Sequence, residues 1–191
     1  YFINRLSSVP DLQQLLRFNS SESNANALGT EGTILVLPVD KMKLLELKDD
    51  DKLKTLSPGN FEPYTFNTMA EQETAISQLK NDLLFNQYEC VYVTAANGCI
   101  YYYMLTGSDE MALVSKKYFS NVQEAAENAA SVKYIGTFSE NYRSFVTATG
   151  GFSFDMELNL LTFEKYLQLI VESGELFSQR RQQFLDHLLS R

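Results

Sequence analysis

Few residues in this chain have the chemistry to act as proton shuttle, nucleophile or metal ligand, and their spacing limits what they can do. Histidine is the side chain that ordinarily titrates near neutral pH, and the sequence holds one, His187, between Asp186 and Leu188. No serine or cysteine nucleophile stands beside it, so Ser-His-Asp, Cys-His and multi-histidine metal chemistry all lack a partner there. His187 reads as a partly exposed structural residue of a terminal helix. Cys90 and Cys99 flank a hairpin turn, and in the register read below their sulfurs lie about 20 Å apart. A disulfide needs α-carbons within about 7 Å, so both are expected to be free thiols, as in a reducing, cytoplasmic compartment. With one histidine they make no zinc site.

The carboxylates offer more, because the chain carries 24 acidic residues. Asp155 and Glu157 fall on one face of an alternating strand, about 7 Å apart, which approaches the geometry of a glycosidase pair. Ordinary strand alternation accounts for them fully, and the pair reads as a solvated strand face. Asp49-Asp50-Asp51 is the densest acidic cluster, but a calcium loop alternates acids with spacers and places glycine sixth. The sixth position from Asp49 is Lys54, so the cluster reads as a solvated loop. Gly150-Gly151 precedes a strand, the reverse of the strand–loop–helix order of a dinucleotide fingerprint, and no GxxxxGK[ST] occurs. The expectation is no catalytic residue, no metal and no cofactor.

The chain has 191 residues, 45% of them hydrophobic, with a formal net charge of −8. That balance opposes binding to phosphate backbones and anionic membranes and suits a basic protein partner. No apolar run approaches the roughly 20 residues of a membrane span, so a soluble chain is expected. It begins at Tyr1 without methionine, which is compatible with a cleaved signal peptide.

The elements that must position these residues follow from periodicity. Within Tyr88–Thr106, the runs Tyr88–Thr94 and Cys99–Leu105 flank Asn97-Gly98, the strongest short hairpin signal. With Asn97 and Gly98 as the two central residues of a type I′ turn, Tyr92 opposes Tyr103 and Thr94 opposes Tyr101. Tyr92, Tyr101 and Tyr103 then share a face, and with neither face polar the pair belongs in the middle of a sheet. Thr33–Leu37, ending at Pro38, is a buried strand. Asp40 either caps a helix or precedes an edge strand, and Tyr64–Phe66 reads as a short strand. Thr68-Met-Ala-Glu71 is a capping box opening a helix with Met69, Ala75, Ile76, Leu79 and Leu83 inward. Met111–Val114 extends the meander. Ser120 with Gln123 opens another helix through Ala130, with Val122, Ala125, Ala126 and Ala129 inward. Lys133–Phe138 reads as extended and Ser139–Ala148 as helical. Phe152–Leu160 alternates with period two, one face buried and one wet, as a peripheral strand does.

Residues 1–32 read as an N-terminal helix after Val9-Pro10 and a mobile connection, Ser20 to Gly32. Residues 33–191 read as one α+β domain, a mainly antiparallel sheet centred on the 88–106 hairpin with helices packed on it. A C-terminal αα-hairpin closes the chain: a helix capped by Thr162 and a second from Glu175 toward Leu189, with Gly174 between them. The function expected is noncatalytic protein–protein binding, an adaptor or an inhibitor of a basic partner in the manner of an immunity protein. Its contacts would be Asp49, Asp50, Asp51, Tyr92, Tyr101, Tyr103, Asp155 and Glu157. The alternative is a small-molecule-binding domain in which Tyr92, Tyr101 and Tyr103 wall an apolar pocket.

Overall fold

The protein is described here from a computed structural model, which places residues 27–108, 110–159, 161–162 and 186. The helix expected after Pro10, the helix capped by Thr162 beyond its first residue, the terminal αα-hairpin and His187 lie outside those residues. The elements are β1 (Ile34–Asp40), α1 (Lys41–Asp49), short 3-10 turns at Lys52–Thr55 and Pro58–Asn60, α2 (Met69–Leu84), β2 (Tyr88–Thr94) and β3 (Ile100–Thr106). They continue with β4 (Met111–Ser115), α3 (Val122–Ile135), a 3-10 turn at Ser139–Asn141, β5 (Tyr142–Val146) and β6 (Phe152–Glu157). One six-stranded sheet runs β2-β3-β4-β1-β6-β5, antiparallel at every pairing, so this is a single α+β domain.

Both faces of the sheet are covered, which is why its central strands lack polar alternation. On one face, Leu79 and Leu83 of α2 and Ala125, Ala129, Val132 and Ile135 of α3 pack with Tyr102, Met104, Leu113, Phe154 and Met156. On the other, Leu44 of α1 and Leu53 lie with Tyr101, Tyr103, Leu37, Val39 and Val114. α1 is the helical alternative for the segment after Asp40, whose carboxylate accepts from the Lys43 amide. α2 begins at the expected box: Thr68 Oγ1 accepts from the Glu71 amide and Glu71 accepts from the Asn67 amide. Met69, expected inward, is exposed in its first turn.

Several expectations are corrected by long-range pairing. The hairpin register is displaced by one residue: Tyr92 opposes Tyr102, Val93 opposes Tyr101 and Val91 opposes Tyr103. Gly98 has φ of +85° whereas Asn97 does not enter the positive-φ region, so the turn is not type I′. It is a three-residue loop in which the Ala95 amide donates to the Cys99 carbonyl and the Gly98 amide to the Ala95 carbonyl, a connection closed by a left-handed glycine. A one-residue slip moves one strand's side chains to the other face relative to its partner, so Tyr92 is separated from Tyr101 and Tyr103. The hairpin is also not central, since β2 forms the sheet edge and β1 and β4 hold the middle.

β6, expected at the periphery, lies between β1 and β5, and Ser153 and Asp155 on its expected wet face are buried. β5 replaces the helix expected over Ser139–Ala148, because pairing with β6 sets Arg143 opposite Asp155 and ties Tyr142 Oη to the Gly136 carbonyl. α3 starts one residue later than expected, capped by Asn121, so Val122 is 50% exposed. It continues through Lys133–Ile135, since Ala125, Ala129, Val132 and Ile135 keep one buried helical stripe. Within the expected Ser20–Gly32 connection Ala27 and Leu28 are buried, and the Asn128 side chain donates to the Ala27 carbonyl. Pro38 lies within β1 rather than ending it: β1 pairs with β6 only as far as Val36, and the proline carbonyl accepts from Tyr64.

Candidate binding site

The chain between the second 3-10 turn and α2 passes from one face of the sheet to the other as a strap, Phe61–Asn67. It is held where β1 and β6 stop pairing. The Tyr64 amide donates to the Pro38 carbonyl at 2.8 Å, and Phe66 and Phe152 exchange bonds of 2.7 and 2.9 Å. The short strand expected at Tyr64–Phe66 is this isolated bridge. A side chain on Gly151 would collide with Thr65 Cγ2 at 2.0 Å and the Phe66 carbonyl oxygen at 2.9 Å, so close approach of the strap requires glycine there.

A hollow opens on each side of Tyr64. One, of about 580 Å³, has an apolar floor of Val39, Leu44, Leu47, Leu56 and Phe61, with Asp40, Lys43 and Glu62 at its edge. The other, of about 630 Å³, lies along α2 from Ala70 to Asp82 and against the β3–β4 turn, and its ionisable carboxylates are Glu71, Asp82 and Glu110. Its described lining includes no lysine or arginine; the Lys41 ammonium bonds the Ser108 carbonyl nearby, at 3.1 Å. Asp82 is 2% exposed and is fixed by the Gln78 amide at 3.0 Å and the Gly107 backbone amide at 3.1 Å.

Tyr64 reports the field between the hollows. Its hydroxyl donates to Glu110 at 3.2 Å. Burial raises its phenol above the ordinary value, and the charges of Glu110, Asp40 and Glu71 raise it further. Carboxylates from the start of α1, the start of α2 and the approach to β4 thus surround one ring, Glu110 bonded to it, Asp40 lining one hollow beside it and Glu71 the other. An acidic concave surface of this kind attracts counter-cations.

The residues singled out from sequence do not assemble into one site. Asp49, Asp50 and Asp51 form the exposed end of α1, where Asp50 and Asp51 pair with Lys52 and Lys54, as a solvated loop does. Tyr101 and Tyr103 are fully buried in the cluster beneath α1, and Tyr92, 38% exposed, lies on the opposite face. Neither hollow touches these tyrosines. Asp155 is 7% exposed and taken by Arg143 through two bonds of 3.2 and 2.8 Å, while Glu157 is half-buried at the end of β6. Cys90 and Cys99 are free. Among the described residues no group of histidine, cysteine and carboxylate side chains could hold a metal, and no helix is long and apolar enough to cross a membrane.

Sequence reasoning used Glu71 only as a cap and passed over Tyr64, Asp82 and Glu110. Asp82 did carry a signal, an acid three residues after Leu79 and beside Leu83 on the buried stripe of α2. Compared with known proteins, the chain matches no family model, no curated protein and no solved structure.

Proposed function

We propose that this protein is a noncatalytic module that binds a basic protein partner, as an adaptor or an inhibitor of the immunity type, through the face crossed by the Tyr64 strap. The observation that carries the reading is the convergence of Asp40, Glu71 and Glu110 on Tyr64 between two open hollows. Opposite charge accelerates encounter and fixes register, and a concave surface provides contact area. This assignment moves the contacts away from Asp50, Asp51 and Asp155, whose charges are met within the chain by Lys52, Lys54 and Arg143. The small-molecule alternative loses the wall it was built on, since Tyr92, Tyr101 and Tyr103 do not share a face.

The test compares two variants of equal charge change for association with immobilised polyarginine at low and high salt. Glu71→Gln with Glu110→Gln is expected to slow association several-fold at low salt, with the difference collapsing at high salt as screening sets in. Asp50→Asn with Asp51→Asn is expected to slow it much less. Equal effects of the two pairs, or no association of the unmodified chain, would refute the reading.

A further inference from the structure

Resting on that reading, we infer that the strap recognises a two-part signal, an extended segment of the partner that seats an apolar side chain in one hollow and an arginine in the other. The two hollows share Tyr64 and Thr65 in their walls, so a chain crossing the strap meets both. They differ in chemistry. The first has its floor of Val39, Leu44, Leu47, Leu56 and Phe61, which offers a leucine or phenylalanine side chain apolar surface to bury away from water. The second presents carboxylates from separate elements, Glu71 on α2 and Glu110 before β4, above the buried carboxylate of Asp82.

Arginine fits this second hollow better than lysine for a geometric reason. Its planar fork donates to several carboxylate oxygens at once and it stacks on aromatic rings, here that of Tyr64. Asp82 already accepts from Gln78 and Gly107, so it acts as a fixed negative charge behind Glu71 and Glu110. An aspartate or glutamate in the incoming segment would face the same three carboxylates and be rejected, which supplies discrimination as well as attraction.

The experiment uses the full chain and fluorescently labelled extended peptides in which one leucine and one arginine are separated by increasing spacers of glycine and serine. One spacing is expected to bind about tenfold more tightly than the others, as when a central contact is lost or gained. At that spacing, arginine to citrulline, arginine to lysine or leucine to alanine should each weaken binding. Leu47→Ser should weaken the leucine peptide while leaving an all-basic peptide unaffected, and Glu110→Gln should weaken both. Glu110 is exposed, whereas Leu47 is partly buried against the cluster beneath α1, so circular dichroism and a thermal melt of each variant check its fold. Binding that follows total charge alone, with no preferred spacing and no effect of Leu47→Ser on the leucine peptide, would overturn the two-part signal and leave the basic-partner reading standing. Indifference of every peptide to Glu110→Gln would overturn both.

Discussion

A methyl group added at Gly136 would meet Leu83 Cδ1 at 2.4 Å, the Val132 carbonyl oxygen at 2.6 Å and Met156 Cε at 2.8 Å. The backbone at Gly136 is ordinary right-handed helix, so space and not conformation selects glycine where α3 ends against α2 and β6. Gly136→Ala is therefore expected to cost about 1–3 kcal/mol through overpacking, read as a lower midpoint in chemical denaturation; an unchanged midpoint would mean that the three contacts yield freely. Cys90 is set by burial in another sense. Desolvation pushes its thiol up from 9.0 to about 11, with the bond to Tyr92 offsetting part of the rise. The folded state thus holds the thiol proton more tightly than the unfolded chain does. Its contribution to stability is present in full below pH 9 and is lost as pH rises through about 11. In a Cys99→Ser variant, alkylation by iodoacetamide should stay slow at neutral pH and rise with a midpoint near 11. A midpoint near 9 would show a thiol open to water.

Helix starts are where local sequence and observed elements agree most closely, and where they part the reason is visible. Thr68 and Glu71 satisfy the first turn of α2 as their spacing requires. For α3 the box read as Ser120 with Gln123 is Asn121 with Glu124, the Glu124 carboxylate accepting from the Ser120 amide. Adjacent residues that can all cap leave the choice to packing, and Ala125 and Ala129 facing the sheet settle it. Asn121→Ala should cost about 1 kcal/mol, and Ser120→Ala, whose amide is retained, should cost little; thermal melts of the two variants compare them directly. The Tyr142–Val146 segment went the other way. It has helical spacing of Tyr142, Phe145 and Val146, yet becomes an edge strand because β6 offers a full antiparallel partner and a buried Asp155 for Arg143. Tertiary pairing outweighs a propensity of tenths of a kcal/mol per residue.

Across the whole molecule, the sheet is closed on both faces by different stretches of chain, and the strap is where the chain changes side. The candidate site is a consequence of that crossing. Asp40 at the end of β1, Tyr64 of the strap, Glu71 and Asp82 of α2 and Glu110 before β4 are brought near one another because the strap replaces β6 as the neighbour of β1 beyond Val36. An excess of acid, a hairpin at Asn97-Gly98, the cap of α2, free cysteines and an α+β domain were all legible by inspection, since each is a property of composition or of a few neighbouring residues, whereas the segment after Asp40 read equally as helix or edge strand. The order of the strands, the facing of Tyr92 away from Tyr101, the burial of Asp155 and the gathering of carboxylates about Tyr64 were decided only in three dimensions. They depend on free energies of contact between residues far apart in the chain, above all the burial of apolar surface on two sheet faces at once, and no local pattern encodes which distant partner will provide it.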